Sequence, residues 1–310
     1  MRNTWSLLLA AAAQAESASA AHAPAAFAQA EDGALRAVSP DDPACCLVWQ
    51  PGIGWASTLG PETPDAALID LYLPICSATT ARPVTVGHLG QSLDGFIATH
   101  AGESRWVTGH ENILHLHRLR ALCQAVIVGA GTVAADDPQL TTRLVPGPHP
   151  VRVVLDPGRR LGATHKVFTD PSAETIYVCA ASLVRPGEDR IGMASVVGLD
   201  GDGDRVDAAA VMRLVRERGW TRVFVEGGGV TVSMFLEANL LDRLHVAIAP
   251  LLIGNGRPAI RLTPPEALID CHRPKYRVFR TGPDVLFDCE LGARAEESRD
   301  EPDPPITRVI

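Results

Sequence analysis

The sequence has few aromatic residues, no excess of positive charge and no long apolar run, and each shortage excludes a class of protein. Aromatic residues make up 5% and apolar residues 46% of the 310 residues, which suits an α/β protein with a buried sheet. The formal net charge of −8 gives no basic surface for nucleic acid or an anionic membrane. The chain also lacks an apolar run of membrane-spanning length. We therefore expect neither a nucleic acid nor a membrane as partner.

Paired cysteines are also lacking, because the seven cysteines include no C-x-x-C pair and their number is odd. Most lie in apolar stretches, where cysteine behaves as a small hydrophobic residue. This usage indicates reduced thiols in a cytoplasmic protein, with neither disulfides nor metal. His115 and His117 do not change the expectation of no metal, because two helical residues two apart face different directions.

The N-terminal part, residues 1–80, is predicted to be an extension without a catalytic constellation. Its start imitates a secretory signal, with Arg2, the apolar run 5–13 and small residues after it. The alternative is a short Ala-rich amphipathic helix followed by an Ala/Ser linker. Further along we expect two short strands on either side of the turn Pro51–Gly52 and a helix over 66–73. The extension is expected to pack on the main domain, with 79–83 as linker.

From Pro83 the pattern alternates between apolar strands and amphipathic helices, which predicts a three-layer α/β domain over 83–291 with a mostly parallel sheet. A hairpin at Gly282–Pro283 should make this sheet mixed at one edge. The tail 292–310 is rich in charge and proline, and we expect it to be disordered. The predicted helices cover 111–123, 206–218 and 230–238, and the strands cover 84–86, 125–128, 151–155, 175–179, 222–226, 244–249, 276–280 and 285–290.

Two glycine-bearing segments follow predicted strands. Residues 225–229 (V-E-G-G-G) join a strand to a helix, where close backbone approach and free N–H groups suit a phosphate. This pattern is not G-x-G-x-x-G, so it does not indicate a Rossmann fingerprint. Residues 129–138 combine glycines with a pair of aspartates and fit a cofactor loop. Taken singly, each segment is also compatible with a purely structural turn.

Together these motifs resemble the reductase domain of the bifunctional riboflavin biosynthesis deaminase–reductase family. The resemblance implies a fold of the dihydrofolate reductase-like type, a nicotinamide cofactor and a homodimer. It covers nearly all of 84–290 and depends on eight motifs in order: S-L-D-G at 92–95, S-x-W at 104–106, H-R-L-R at 117–120, G-x-G-T at 129–132, D-D-P-x-L-x-x-R at 136–143, R-V-V-L-D at 152–156, E-G-G at 226–228 and A-P-x-L-x-G at 249–254.

The same resemblance implies site residues. Substrate contacts are expected at Ser104, Arg120, Leu140, Arg143 and Glu226, with the two arginines as candidates for a sugar phosphate. The carboxylates available for catalysis are Asp136 and Glu226. The expected cofactor contacts are the ten residues Gly90, Trp106, Gly129, Gly131, Thr132, Asp136, Gly228, Gly229, Val230 and Thr231.

The implied reaction is hydride transfer from NADPH to C1′ of a ribosylamino-pyrimidine 5′-phosphate, giving the ribitylamino product. Opening the furanose ring requires a proton donor near the ring oxygen, for which Asp136 and Glu226 are the candidates. Arg159 and Arg160 could pair with the 2′-phosphate of NADPH. A reductase that uses cytoplasmic NADPH favours the interpretation that the signal-like N-terminus is a mimic.

Two departures from the family bear on the substrate. The deaminase patterns H-x-E and P-C-x-x-C do not occur in residues 1–82, so deamination is not predicted. His88 stands where the family usually has a lysine, and it replaces a permanent charge with a group that is mostly neutral at pH 7. The alternatives are a reductase of the same fold acting on another heterocycle, such as a pterin, and a non-catalytic NADPH-binding protein.

Overall fold

The computed structural model describes residues 3–63, 65–201 and 206–292. The tail that the sequence predicts to be disordered, 292–310, lies outside these residues except for Gly292. Among the described residues, no helix combines the length and the apolar composition that crossing a bilayer requires.

The N-terminal part consists of two helices and a small sheet, in the antiparallel strand order β2-β1-β3-β4. The strands predicted around Pro51–Gly52 and the helix predicted over 66–73 are confirmed as β3, β4 and α2. The Ala/Ser linker expected after the first helix is wrong, because 25–29 forms a strand that pairs with two neighbours. The elements are α1 (Thr4–Ala20), β1 (Ala25–Gln29), β2 (Leu35–Val38), β3 (Leu47–Gln50), β4 (Gly54–Ser57) and α2 (Ala66–Cys76).

Helix α1 packs into the same hydrophobic core as the main sheet. Asn3 caps the helix, its side-chain oxygen accepting hydrogen bonds from the amides of Trp5 and Ser6. The indole nitrogen of Trp5 donates to the carbonyl oxygen of Pro146 at 2.8 Å, and Arg222 donates to the carbonyl oxygen of Ala12 at 2.9 Å. One apolar cluster joins the two parts and includes Leu7, Leu8, Ala11, Tyr72, Leu119, Val126 and Phe224.

The predicted three-layer α/β architecture with a mostly parallel sheet is confirmed. The ten strands lie in the order β10-β11-β9-β8-β7-β12-β5-β13-β16-β15, and a two-stranded sheet pairs β14 with β6. The elements are β5 (Val84–Ser92), β6 (Phe96–Thr99), α3 (His110–Leu122), β7 (Ala125–Gly129), α4 (Ala130–Asp136), β8 (Val151–Leu155), α5 (Lys166–Thr169), β9 (Thr175–Ala180), β10 (Arg190–Ile191), β11 (Ala194–Leu199), α6 (Ala208–Glu217), β12 (Arg222–Glu226), α7 (Gly229–Glu237), β13 (Arg243–Ala249), β14 (Gly256–Pro258), β15 (Lys275–Thr281) and β16 (Asp284–Glu290).

The sheet is antiparallel at both edges. The predicted hairpin is confirmed, because Thr281 pairs with Asp284 and Gly282 takes a φ of 65°, which glycine adopts without steric cost. The mixed edge is thus confirmed, and a second antiparallel pair, β10 with β11, lies at the opposite edge, where the sequence did not predict one. The sequence did not predict β11. In the structure, only the first of its six residues is buried.

Two predicted features of the helices need correction. Residues 130–136, expected as a loop, form the short helix α4, which ends where Asp137 adopts a left-handed φ of 41°. The apolar stripe expected on helix α3 was Ile113, Leu116, Leu119 and Cys123; the last two are buried, but Ile113 and Leu116 are only half-buried. Four of the seven buried residues of the helix are polar, namely Asn112, His115, His117 and Arg120. This polar face decides how the helix meets the sheet.

The shared core predicts that the N-terminal part and the main domain unfold together. Leu8 is fully buried, so Leu8→Ala should lower the free energy of unfolding by about 2–4 kcal/mol through lost burial and a residual cavity. The matched control Ile53→Ala, at a side chain that is 69% exposed, should change it by less than about 0.5 kcal/mol. Urea unfolding followed by tryptophan fluorescence and by circular dichroism measures both. Two separate transitions in the native chain would contradict the shared core.

Candidate active site

A cavity of about 860 Å³ lies at the carboxyl ends of β5, β7, β8 and β12. Strand β12 lies between β7 and β5, although it follows both in the sequence. Strands β7, β8 and β9 lie on one side of β5 and the later strand β13 lies on the other, so the order of the strands reverses here. In open α/β sheets such a switch point leaves a crevice where ligands bind. The location and size of the cavity make it the candidate active site.

Backbone without side chains forms one wall of this cavity. Gly228 and Gly229 begin helix α7, and a Cβ on Gly229 would overlap the carbonyl oxygens of Pro258 and Ala259. A Cβ on Gly131 would meet nothing within 4 Å, because it would point into open space. The amide of Gly228 donates to the hydroxyl of Thr132 at 2.9 Å and so ties α7 to α4. The two glycine segments thus meet in one cradle.

Most of the residues predicted from the sequence are brought together here. Ser104 and Asp136 both line the cavity, and the hydroxyl of Ser104 donates to Oδ1 of Asp136 at 3.3 Å. The cavity lining includes the predicted residues Gly90, Ser104, Gly129, Gly131, Thr132, Asp136, Glu226, Gly228, Gly229, Val230 and Thr231.

Four predicted contacts lie elsewhere: among the described residues, the cavity lining does not include Trp106, Arg120, Leu140 or Arg143. Trp106 is 79% exposed in a loop, with a left-handed φ of 67° that is rare for a bulky residue. Leu140 is buried, so its side chain faces the core. Arg120 and Arg143, the candidates for a sugar phosphate, are therefore not part of the cavity surface, and their role as substrate contacts stays a prediction.

Arg120 is engaged with Glu226 instead of facing the cavity. Its Nε donates to Oε2 of Glu226 at 2.7 Å, and Nη2 makes a second, shorter contact with Oε1. The Arg120 and Glu226 side chains are 8% and 14% exposed, so this two-point ion pair is largely shielded from solvent. Arg143 is exposed, and its guanidinium donates to the hydroxyl of Thr141 at 2.7 Å. Glu226 is thus the cavity-facing member of a fixed pair.

The Arg120–Glu226 pair belongs to a row of polar contacts between α3 and three neighbouring strands. Glu226 of β12 lies opposite His88 of β5, and His88 lies opposite His245 of β13. Each strand residue meets one residue of α3. Nε2 of His88 lies 2.9 Å from Oδ1 of Asn112, and Nδ1 of His245 lies 3.0 Å from Nε2 of His115. We call these three contacts the α3 polar row.

Burial holds the imidazoles of His88, His115, His117 and His245 neutral. Burial lowers the pKa of His88 to about 3, an effect that the nearby His245 reinforces and the hydrogen bond to Asn112 opposes. The pKa values of His115 and His245 are likewise lowered by burial. Burial and the neighbouring Arg120 lower the pKa of His117 to about 4. His88 lines the cavity and therefore presents a neutral imidazole there.

Several lining residues were not predicted from the sequence. Arg257 of β14 and Arg261 add two guanidinium groups, because β14 pairs with β6 across a long sequence separation. Arg160 also lines the cavity, with a side chain that is 70% exposed. Its neighbour Arg159 makes a two-point ion pair with Glu188, so only Arg160 of the predicted pair is placed to meet a ligand. No group of three or more metal-ligating side chains occurs within the described ranges.

The neutral histidines predict a loss of stability in mild acid. Their ordinary pKa of 6.5 in the unfolded chain exceeds the lowered native values, so the unfolded state binds more protons as the pH falls through 6.5. The free energy of unfolding should be constant above pH 7.5 and then fall by about 1.4 kcal/mol per pH unit for each histidine. Urea unfolding in a series of buffers measures this slope. His117→Gln should reduce the slope by the contribution of one histidine, about 1.4 kcal/mol per pH unit. A constant free energy between pH 7 and 5 would contradict it.

Comparison with known proteins gives relatives of two kinds. Over 212 residues the chain is 35% identical to the riboflavin biosynthesis protein RibD of Bacillus amyloliquefaciens, covering 66% of this chain and 57% of that protein. Over 191 residues it is 36% identical to the 2,5-diamino-6-ribosylamino-4(3H)-pyrimidinone 5′-phosphate reductase of Methanothermobacter thermautotrophicus, covering 60% of this chain and 86% of that reductase. The chain thus spans little more than half the length of the RibD relative and most of the shorter reductase.

Solved structures agree with this placement. The deaminase/5-amino-6-(5-phosphoribosylamino)uracil reductase of Thermotoga maritima superposes with a TM-score of 0.56 at 29% identity, covering 68% of this chain and 57% of that one. RibD of Acinetobacter baumannii gives 0.59 at 26% identity, covering 74% and 63%. The family model of the RibD C-terminal domain matches residues 84–287. The chain belongs to the RibD C-terminal domain family, with its dihydrofolate reductase-like fold.

Proposed function

We propose that this chain is an oxidoreductase of riboflavin biosynthesis or a related pathway, which reduces the ribosyl group of a ribosylamino-pyrimidine 5′-phosphate with NADPH. The observation that carries the proposal is the cavity in which Glu226, fixed by Arg120, faces the glycine-lined start of helix α7. Relatives named as reductases of such a pyrimidine phosphate support it. The cytoplasmic location and the homodimer that the resemblance implies stay predictions.

The residues present fit a dinucleotide. Gly228 and Gly229 open the start of α7, where free N–H groups and the helix dipole favour a phosphate. The open space beside Gly131 leaves room for a close approach to α4. Thr132 and Thr231 add hydroxyls to the same wall. When bound there, NADPH would supply the hydride that the reduction needs.

The substrate would lie between the α3 polar row and the opposite cavity wall. Two hydrogen bonds from the Arg120 guanidinium fix the orientation of the Glu226 carboxylate, which can accept hydrogen bonds and a proton from the ribosylamino group. Asp136 is the second carboxylate of the cavity and contacts the hydroxyl of Ser104. Arg143 is exposed, with its guanidinium bonded to Thr141, and its assignment to the 5′-phosphate follows from the family resemblance.

The chemistry asked of the protein is positioning and proton transfer. The sugar must be held open with C1′ against the nicotinamide, which binding at Arg143 and Glu226 would achieve by fixing both ends of the substrate. As the ring opens, the amine nitrogen loses a proton and the ring oxygen gains one, and the carboxylate of Glu226 can carry this proton from one to the other. After the hydride reaches C1′, the nitrogen takes a further proton from solvent. Because Glu226 is 14% exposed whereas Asp136 faces solvent, we assign the larger role to Glu226.

The proposed activity predicts a substrate-dependent loss of NADPH absorbance. Addition of a ribosylamino-pyrimidine 5′-phosphate should oxidise NADPH, and the ribitylamino product should be found by mass spectrometry. Glu226→Gln should lower kcat by about 10²–10⁴-fold, because it removes the proton-accepting carboxylate at nearly unchanged shape. Asp136→Asn is the matched comparison and should have a smaller effect. Oxidation of NADPH by pterins alone would favour the reductase of another heterocycle, and NADPH binding without any turnover would indicate a non-catalytic protein.

Cofactor preference is assigned to Arg160. This guanidinium lines the cavity beyond the end of β8, whereas that of Arg159 is bound to Glu188. Arg160→Ala should raise KM for NADPH about tenfold, the value of one lost charged contact, and leave KM for NADH unchanged. Arg159→Ala is the neighbouring control and should preserve the ratio of the two KM values. Equal ratios in both variants and the native chain would show that another group, such as Arg257 or Arg261, contacts the 2′-phosphate.

A further inference from the structure

A buried chain of hydrogen-bonding groups connects the N-terminal part to the α3 polar row. The hydroxyl of Tyr72, on α2, lies 2.5 Å from Nδ1 of His115. Nε2 of His115 lies 3.0 Å from Nδ1 of His245, and the two rings stack at a centroid distance of 5.1 Å. Nε2 of His245 lies 3.2 Å from Oδ1 of Asp288, a charge contact without the geometry of a hydrogen bond. All four side chains are buried, so water does not compete for these contacts.

The direction of every donor in this chain is fixed from the Asp288 end. Arg243 and Arg277 both donate to the carboxylate of Asp288 at 2.7 Å and keep it ionised, so Asp288 can only accept. A lone pair on Nε2 of His245 would face this negative charge, so the proton lies on Nε2 and leaves Nδ1 as an acceptor. His115 is neutral as well, so it donates from Nε2 and accepts at Nδ1. Tyr72 is then required as the donor that completes the chain.

The same helix carries the contacts that shape the cavity. Asn112 lies one turn before His115 and holds His88, while its amide nitrogen donates to the hydroxyl of Thr108 at 2.9 Å. Arg120 lies on the same helix and holds Glu226. The ring of His88 lies 5.3 Å from that of His115, centroid to centroid. A displacement of His115 would therefore move groups that face the substrate.

We infer that Tyr72 is a positioning residue for the substrate side of the cavity. Its hydroxyl fixes the tautomer and the place of His115, so that α3 holds Asn112 against His88 and Arg120 against Glu226. The inference rests on the proposed function for the identity of the substrate, but the geometry itself does not depend on it. The first 80 residues thereby contribute to the reductase site, because Tyr72 supplies the hydrogen-bond donor that the buried histidines require.

Tyr72→Phe tests this with little change of shape, because the ring keeps its edge-to-face contact with Trp5. The variant leaves Nδ1 of His115 buried without a donor. We expect KM for the pyrimidine phosphate to rise about five- to tenfold, within the usual range for coupling between neighbouring sites, while KM for NADPH stays unchanged. In long-range ¹H–¹⁵N spectra, the ring signals of His88 should shift.

Tyr177→Phe is the matched control. Tyr177 is also fully buried in the same apolar cluster, and its hydroxyl donates to Asp156 at 2.7 Å. It stands on β9, which three strands separate from β5, the strand of His88. This variant should lose comparable stability yet leave the His88 signals and the substrate KM unchanged. If both variants behave alike in these two measurements, the inference is overturned, because Tyr72 would then only add stability.

The native protein gives an independent test that does not require Tyr72→Phe to fold. At neutral pH, His115 and His245 should both be neutral with the proton on Nε2, and a proton on Nδ1 of either ring would overturn the inference. If the native chain does not turn over any ribosylamino-pyrimidine phosphate, the proposed function fails. The response of the His88 signals to Tyr72→Phe then still decides whether Tyr72 positions the cavity wall.

Discussion

Helix α3 contacts the sheet through a row of buried polar pairs beside its apolar packing, and the geometry of the candidate site depends on that row. Glu226, His88 and His245 stand in register on three adjacent strands and meet Arg120, Asn112 and His115 of the helix. Each buried polar group needs its particular partner, because an unpaired one would cost more than a hydrogen bond returns. Apolar packing would tolerate small shifts of the helix, but a row of paired polar groups permits one register.

This constraint explains why the N-terminal part is integrated into the fold. The outermost histidine of the row, His115, has a second nitrogen that faces away from the sheet and needs a donor, and Tyr72 of α2 supplies it. Trp5 of α1 contacts the segment beyond Arg143 through the carbonyl oxygen of Pro146. The first 80 residues thus cover the helix and the segment that carry much of the proposed substrate site.

The opposite side of the cavity follows a different principle. Where α4 and α7 meet, the wall consists of glycines and small hydroxyl side chains, and Gly229 has no room for a Cβ beside Ala259. A bare backbone offers N–H groups and close approach, which suit a large cofactor bound through its phosphates. The wall at the α3 polar row therefore selects a ligand through fixed polar side chains. The wall at α4 and α7 allows a ligand to approach the backbone closely, because its side chains are small or absent.

Local patterns in the sequence were enough to predict the alternation of strands and helices, the hairpin at Gly282 and the two glycine segments, because each depends on periodicity or on a short motif. The same motifs pointed to the carboxylates Asp136 and Glu226, and His88 was already expected to be mostly neutral at pH 7. The sequence did not show the partner of Arg120, the burial that lowers the pKa of His88 further, or the presence of Arg257 and Arg261 in the cavity. Those features depend on strand order and on the β6–β14 pairing, which bring together residues far apart in the chain. They arise in the folded chain alone, because burial and pairing are properties of neighbours in space.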